Sequence, residues 1–278
     1  MQIAVSMWSL HREFYSRRLD VVDFVKWAAD AKADGVELLD VFWKDFDTEG
    51  PKVLDVLEKT NLKVGAYAVG NNFVIPDPEA RAQQVKIITR GVDMAKYLNT
   101  KVVRVFAGDL AEGIAFDAAR GWIVAGLREA AAYAKEHGII LALENHGLLA
   151  GKGDQVQGLI ADVGSTALKA TIDTGNFLLV DEEPTDAVKI LAPLAGHVHF
   201  KDFRPANAEE APSYPALSGK RFVGTIIGEG VVDTREILRL LQDSGYRGWL
   251  SVEFEGLEEE KIGASRSIAN LAATLADL

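Results

Sequence analysis

His197-Val198-His199-Phe200-Lys201-Asp202 alternates titratable and apolar side chains, the period of two that marks a β-strand. On a strand, His197, His199 and Lys201 share one face. Core-facing strand positions ordinarily carry Val, Ile or Leu, so this face is either solvent-exposed at a sheet edge or turned toward a polar site at the mouth of a barrel. The flanking sequence decides between the two. Short apolar runs at Ile3–Trp8, Val36–Phe42, Leu62–Ala68, Val102–Phe106, Ile139–Glu144, Ala170–Asp173 and Trp249–Phe254 read as seven further strands. Helical patterns lie between them at Val21–Asp34, Lys52–Lys59, Glu79–Leu98, Phe116–His137, Gln155–Val163, Pro184–Leu194 and Thr234–Ser244, and a last one closes the chain at Glu258–Leu278. Gly35 and Gly138 stand at C-terminal stops, and Pro78 opens a first turn.

Strand and helix in strict alternation imply parallel strands joined by right-handed crossovers. Eight such units in 278 residues fit an α/β fold of one domain, a closed (β/α)8 TIM barrel over residues 1–278. An open doubly wound sheet is the competing architecture, but no G-x-G-x-x-G follows the first strand. One connection breaks the rhythm. The stretch from Asp202 to Val231, with Pro205, Pro212, Pro215 and Gly219, is a long loop after strand seven. It leaves from the strand's C-terminal end, where barrels build their sites, and reads as a substrate lid.

The composition, 48% hydrophobic and 26% charged with a net charge of -11, is that of an ordinary globular protein. No basic patch suits a phosphate backbone, so nucleic acid is not an expected partner. Cysteine is absent, which removes disulfides and thiolate metal sites. There is neither a signal-peptide pattern nor an apolar run of about 18 residues that could span a membrane. The expectation is a cytoplasmic protein without a membrane partner.

The polar residues that end the strands carry the chemistry. Strand five ends in Glu144-Asn145-His146-Gly147, strand six in Asp173-Thr174-Gly175-Asn176, and strand eight in Glu253 and Glu255. In Leu141-Ala142-Leu143-Glu144 and Leu250-Ser251-Val252-Glu253 each glutamate shares its face with a small residue, as the tapering interior of a barrel requires. Inward carboxylates must be paired, protonated or bound to a cation. Three carboxylates and an imidazole form a hard O/N set that suits Mn²⁺, Mg²⁺ or Co²⁺ better than a structural zinc. The competing reading is a set of ion pairs with Arg104, Lys201 and Arg204.

Together with Gly228-Glu229-Gly230, these motifs resemble the xylose isomerase-like barrel superfamily. The likeness follows strand order along the whole chain, with its sharp motifs in the second half. It implies one divalent metal ion, Mn²⁺ first and Mg²⁺, Co²⁺ or Zn²⁺ as alternatives, held by Glu144, Asp173, His199 and Glu253. It also implies Glu144 and Glu253 as an acid/base pair, and Trp8, Asn176, His197, Arg204 and Glu229 as contacts to a small carbohydrate. The sequence departs from the ketose 3-epimerases at Asn176, where they carry histidine, and Lys201-Asp202 is closer to the inosose dehydratases. The leading expectation is therefore a sugar isomerase or epimerase working through an enediolate, as a monomer or a homo-oligomer (dimer or tetramer). The alternative is a dehydratase or lyase on a keto-sugar or keto-inositol, with His146 and Lys201 as additional acid or base. An endonuclease IV-type nuclease is disfavoured by only five histidines and a pI of about 5.0, and a non-catalytic carbohydrate-binding barrel is the remaining alternative.

Overall fold

A computed structural model describes residues 1–207 and 209–278. Its strands are β1 (Gln2–Ser6), β2 (Gly35–Leu39), β3 (Lys63–Ala68), β4 (Val102–Val105), β5 (Ile140–Glu144), β6 (Leu168–Asp173), β7 (Ala195–Phe200), β8 (Asp202–Pro205), β9 (Tyr214–Pro215), β10 (Arg221–Thr225) and β11 (Trp249–Val252). Eight of them close a barrel in the order β1-β11-β7-β6-β5-β4-β3-β2. Every pairing within it is parallel, so the (β/α)8 expectation holds. Val, Leu and Ile fill the face of these strands that packs under the ring of helices, while the inner face carries small and polar residues such as Ala142, Thr171, His197 and Ser251.

The barrel is asymmetric from end to end. At the N-terminal end Trp249 fills the interior against Gly35 and Gly65, where an added Cβ would lie within 2.7 Å and 2.9 Å of the indole. At the C-terminal end the interior turns polar. Between the two, the pairing of β2 with β3 slips at Val36/Glu37, and that of β6 with β7 slips at Ala170/Thr171. Such irregularities re-aim side chains.

Several elements differ from the sequence reading. The first strand stops at Ser6, and Trp8 sits in a 3-10 turn, Met7–Leu10, that leads into a short helix, His11–Tyr15. The second strand gives way to a 3-10 turn at Asp40–Phe42, and β7 ends one residue before Lys201. The long connection after β7 is not structureless. It folds into an antiparallel sheet in the order β8-β10-β9, with a small core of Phe203, Ala216 and Phe222 packed on Leu178 and Leu179. Asp202 closes its base: its carboxylate accepts backbone N–H bonds from Gly228 and Gly230 at 2.9 and 3.0 Å, and from Val232 at 3.1 Å. A Cβ on Gly230 would collide with that carboxylate, so the tight return needs glycine there.

Candidate active site

Glu144 and Asp173 are the last residues of β5 and β6, His199 lies near the end of β7, and Glu253 follows β11 directly. All four are buried, and their ligand atoms lie within 4.8 Å of one another. His199 Nδ1 is 3.5 Å from Glu144 Oε2, 3.7 Å from Glu253 Oε2 and 3.9 Å from Asp173 Oδ2. Asp173 is locked by its own turn. Its Oδ1 accepts the N–H groups of Gly175 and Asn176, both at 3.0 Å, and Asn145 grips its backbone from both sides. Oδ2 is thereby left facing the cluster, buried and without a hydrogen bond, as is His199 Nδ1. Asp173 Oδ2, which the Lys201 ammonium faces, and His199 Nδ1, which has no hydrogen bond, thus sit in one close set of hard oxygen and nitrogen donors that fits a divalent cation.

Charge supports the same fit. Lys201 Nζ reaches Glu253 Oε2 at 2.8 Å, Asp173 Oδ2 at 3.1 Å and Glu255 Oε1 at 3.2 Å, while Arg104 Nε lies 3.1 Å from Glu144 Oε2. Two fixed cations thus face four carboxylates, so the ion-pair reading of the sequence holds in part and leaves negative charge over. Burial opposes the Lys201 ammonium, but Asp173, Glu253 and Glu255 outweigh it and hold the group charged. Burial likewise opposes the Glu253 carboxylate, yet Lys201 and His199 pull it down to about 2. Asp173 goes the other way, to about 7, because burial and the neighbouring Glu253 and Glu144 outweigh Lys201.

Beneath this cluster lies a second buried layer. Glu37, from β2, accepts hydrogen bonds from His199 Nε2 at 2.9 Å, His197 Nε2 at 3.3 Å and Ser251 Oγ at 2.7 Å. Burial disfavours its charge, but the two histidines hold the carboxyl well below its usual range. In return Glu37, with Glu253 and Glu144, overcomes the burial of His199 and lifts that imidazole to about 10. His197, in which burial prevails, is lowered.

Above the cluster a cavity of about 450 Å³ opens to solvent. Glu144, Glu253, Lys201 and Asn176 form its floor, and Trp8, His146, Phe106, Tyr15, Phe203 and Tyr214 its walls. Trp8 Nε1 donates to Glu255 Oε1 at 2.6 Å, and half-exposed His146 packs at a tilt against Phe106. Asn176 turns its amide onto Glu144 Oε1 at 3.3 Å and Lys201 at 3.4 Å. Three residues expected at the substrate lie elsewhere. His197 is wholly enclosed in the lower layer. Arg204 is drawn away by β8 and pairs with Glu210 at 2.6 Å, and Glu229 faces outward to Arg266. Glu37 escaped the sequence reading, although a lone acid in Gly35-Val36-Glu37-Leu38-Leu39 was a visible signal. Tyr15, Asp40, Phe106 and Tyr214 also line the cavity without any motif to announce them.

A closed (β/α)8 barrel with a buried acidic cluster at its C-terminal mouth, able to bind a metal ion, is the arrangement that places the chain in its class. The chain belongs to the xylose isomerase-like TIM barrel family, whose model matches residues 25–273. Among curated proteins it is similar to an inosose dehydratase of Lacticaseibacillus casei, 29% identical over 140 residues, or 48% of this chain and 46% of the relative. The match thus spans about half the length of that relative. Among solved structures it is similar to a xylose isomerase-like TIM barrel protein from Mycobacterium smegmatis in complex with magnesium, with TM-score 0.78, 18% identity and 99% and 97% of the two chains covered. A D-tagatose 3-epimerase-like protein superposes with TM-score 0.77, 19% identity and coverage of 100% and 99%. At such identities the structural matches speak for the fold. Among the described residues no helix is long and apolar enough to cross a membrane.

Proposed function

We propose that the chain removes the proton α to the carbonyl of a small keto-sugar or keto-cyclitol and completes the reaction by expelling a β-hydroxyl or alkoxyl group. The observation that carries this reading is the pair Lys201 Nζ–Glu253 Oε2, 2.8 Å apart on the cavity floor. It sets a proton acceptor beside a proton donor. A divalent cation held by Glu144, Asp173, His199 and Glu253 would polarise the carbonyl and its neighbouring hydroxyl and so acidify the α C–H. Glu253 receives that proton. The β C–O bond breaks with its electron pair on oxygen, which takes a proton from Lys201 Nζ and leaves as water or an alcohol. The proton on Glu253 then returns to Lys201 across their hydrogen bond, and both groups regain their starting states. Because acid and base stand side by side, the elimination is syn. Trp8, through Glu255, and Asn176 hold Lys201 and Glu144 in place, and the aromatic walls limit water at the floor. The similarity to an inosose dehydratase supports this reading.

The second reading, epimerisation, is favoured by one observation. Glu144 reaches the same floor from β5, far around the barrel from Glu253, and so can return the proton to the opposite face of the substrate. Incubation of a panel of keto-sugars and keto-inositols with Mn²⁺ in D₂O separates the two. Elimination gives a conjugated enone with loss of water or alcohol. Epimerisation gives an inverted, deuterated centre and no enone. If no substrate in the panel either forms an enone or exchanges its α proton, both readings fail.

A further inference from the structure

We infer that Glu37 is a positioning residue that fixes which nitrogen of His199 is presented to a divalent cation; the inference rests on the metal reading of the upper cluster. A carboxylate only accepts, so the 2.9 Å contact from His199 Nε2 to Glu37 Oε1 places a proton on Nε2. Nδ1 is then the nitrogen turned toward Glu144, Asp173 and Glu253, and it is the one without a hydrogen bond. A metal-bound imidazole commonly relies on such a partner, which sets both tautomer and ring orientation.

Glu37 is itself held from three sides. Ser251 Oγ donates to Oε2 from β11 at 2.7 Å, and His197 Nε2 donates to it from β7 at 3.3 Å. All four side chains are fully enclosed, and the slip of β2 against β3 falls immediately before Glu37. Glu37, His197 and His199 also lie close enough together to resemble a second cation site. The hydrogen bonds argue against that: both oxygens of Glu37 already accept from N–H or O–H groups, and His199 cannot give Nε2 to a second ion while donating that proton. The lower layer therefore serves the upper one.

The test is a Mn²⁺ titration of the full-length, chelator-treated chain by electron paramagnetic resonance, for the native protein, Glu37→Gln and Glu37→Asp. The ¹⁵N imidazole spectrum of the diamagnetic Mg²⁺ form is recorded alongside. The expected results are one Mn²⁺ per native chain and an affinity about 10–100-fold weaker in Glu37→Gln. The Mg²⁺ form should show His199 protonated at Nε2 in the native protein and a mixed tautomer in Glu37→Gln. Glu37→Asp keeps the charge but is too short to reach both histidines, so it should also lose affinity, and it serves as the readout if Glu37→Gln does not fold. Native affinity in the folded variants, a native His199 protonated at Nδ1, or two Mn²⁺ per chain would each overturn the inference. If the native chain binds no Mn²⁺, the metal reading falls and takes this inference with it.

Discussion

Lys201 brings an ammonium into a buried site where Asp173, Glu253 and Glu255 all touch it. Replacing it with methionine keeps most of the unbranched side chain and removes the ammonium with its protons. Turnover should fall by about 10²–10⁴-fold, the usual contribution of a positioned acid, while Mn²⁺ still binds. Steady-state kinetics alongside a Mn²⁺ titration checks this, and unchanged turnover would remove Lys201 from the chemistry. His199 supplies a pH dependence. In the metal-free chain its folded value, about 10, stands above the unfolded value near 6.5. A raised imidazole contributes stability that is fully present below the unfolded value and is lost as pH rises through the folded one. Urea midpoints of the chelator-treated protein should therefore fall steadily between pH 6.5 and 10; a flat or rising profile would contradict the Glu37–His199 contact. At this scale the meeting of Glu144, Asp173, His199 and Glu253 was legible, because each is an acid or imidazole that closes an apolar run. At Glu37 the sequence offered an acid inside an apolar run but no partner for it, because the contacts that give that residue its place join positions 160 and 162 residues apart. It misplaced Arg204, since nearness in sequence to His199 says nothing of the strand that carries the guanidinium away to Glu210.

The element that the sequence concealed is the three-stranded sheet after β7. Its strands are two to five residues long, and prolines at 205 and 215 end two of them, so neither period nor length marks them as strands. Its structure rests on a few side chains, with Phe203, Ala216 and Phe222 forming a core separate from that of the barrel. Phe222→Ala should loosen this sheet alone. Amides of Arg221–Thr225 should lose hydrogen-exchange protection while the global melting temperature shifts little, because the barrel core is untouched. A collapse of the whole fold would show that the sheet is integral to the barrel. Tyr214 rides on the same sheet and faces the cavity. Its replacement by alanine should raise KM more than it lowers kcat, as measured on whichever keto-sugar proves to be turned over; a loss confined to kcat would instead place Tyr214 in the chemistry.

Over the whole molecule, parallel strands carry their polar ends to one mouth, and that arrangement was legible from the alternation of strand and helix alone. The apolar end, filled by Trp249 against Gly35 and Gly65, and the polar end above Glu37 divide the barrel between stability and chemistry. Buried carboxylates outnumber the cations that touch them at this mouth, so Mn²⁺ should raise the melting temperature in a concentration-dependent way and EDTA should reverse the gain. The most direct measurement is anomalous diffraction from a crystal soaked in Mn²⁺. One peak should lie among Glu144, Asp173, His199 Nδ1 and Glu253 at the cavity floor. A peak elsewhere, or none while Lys201 and Arg104 keep their grip on the carboxylates, would contradict a metal-dependent active site at this mouth.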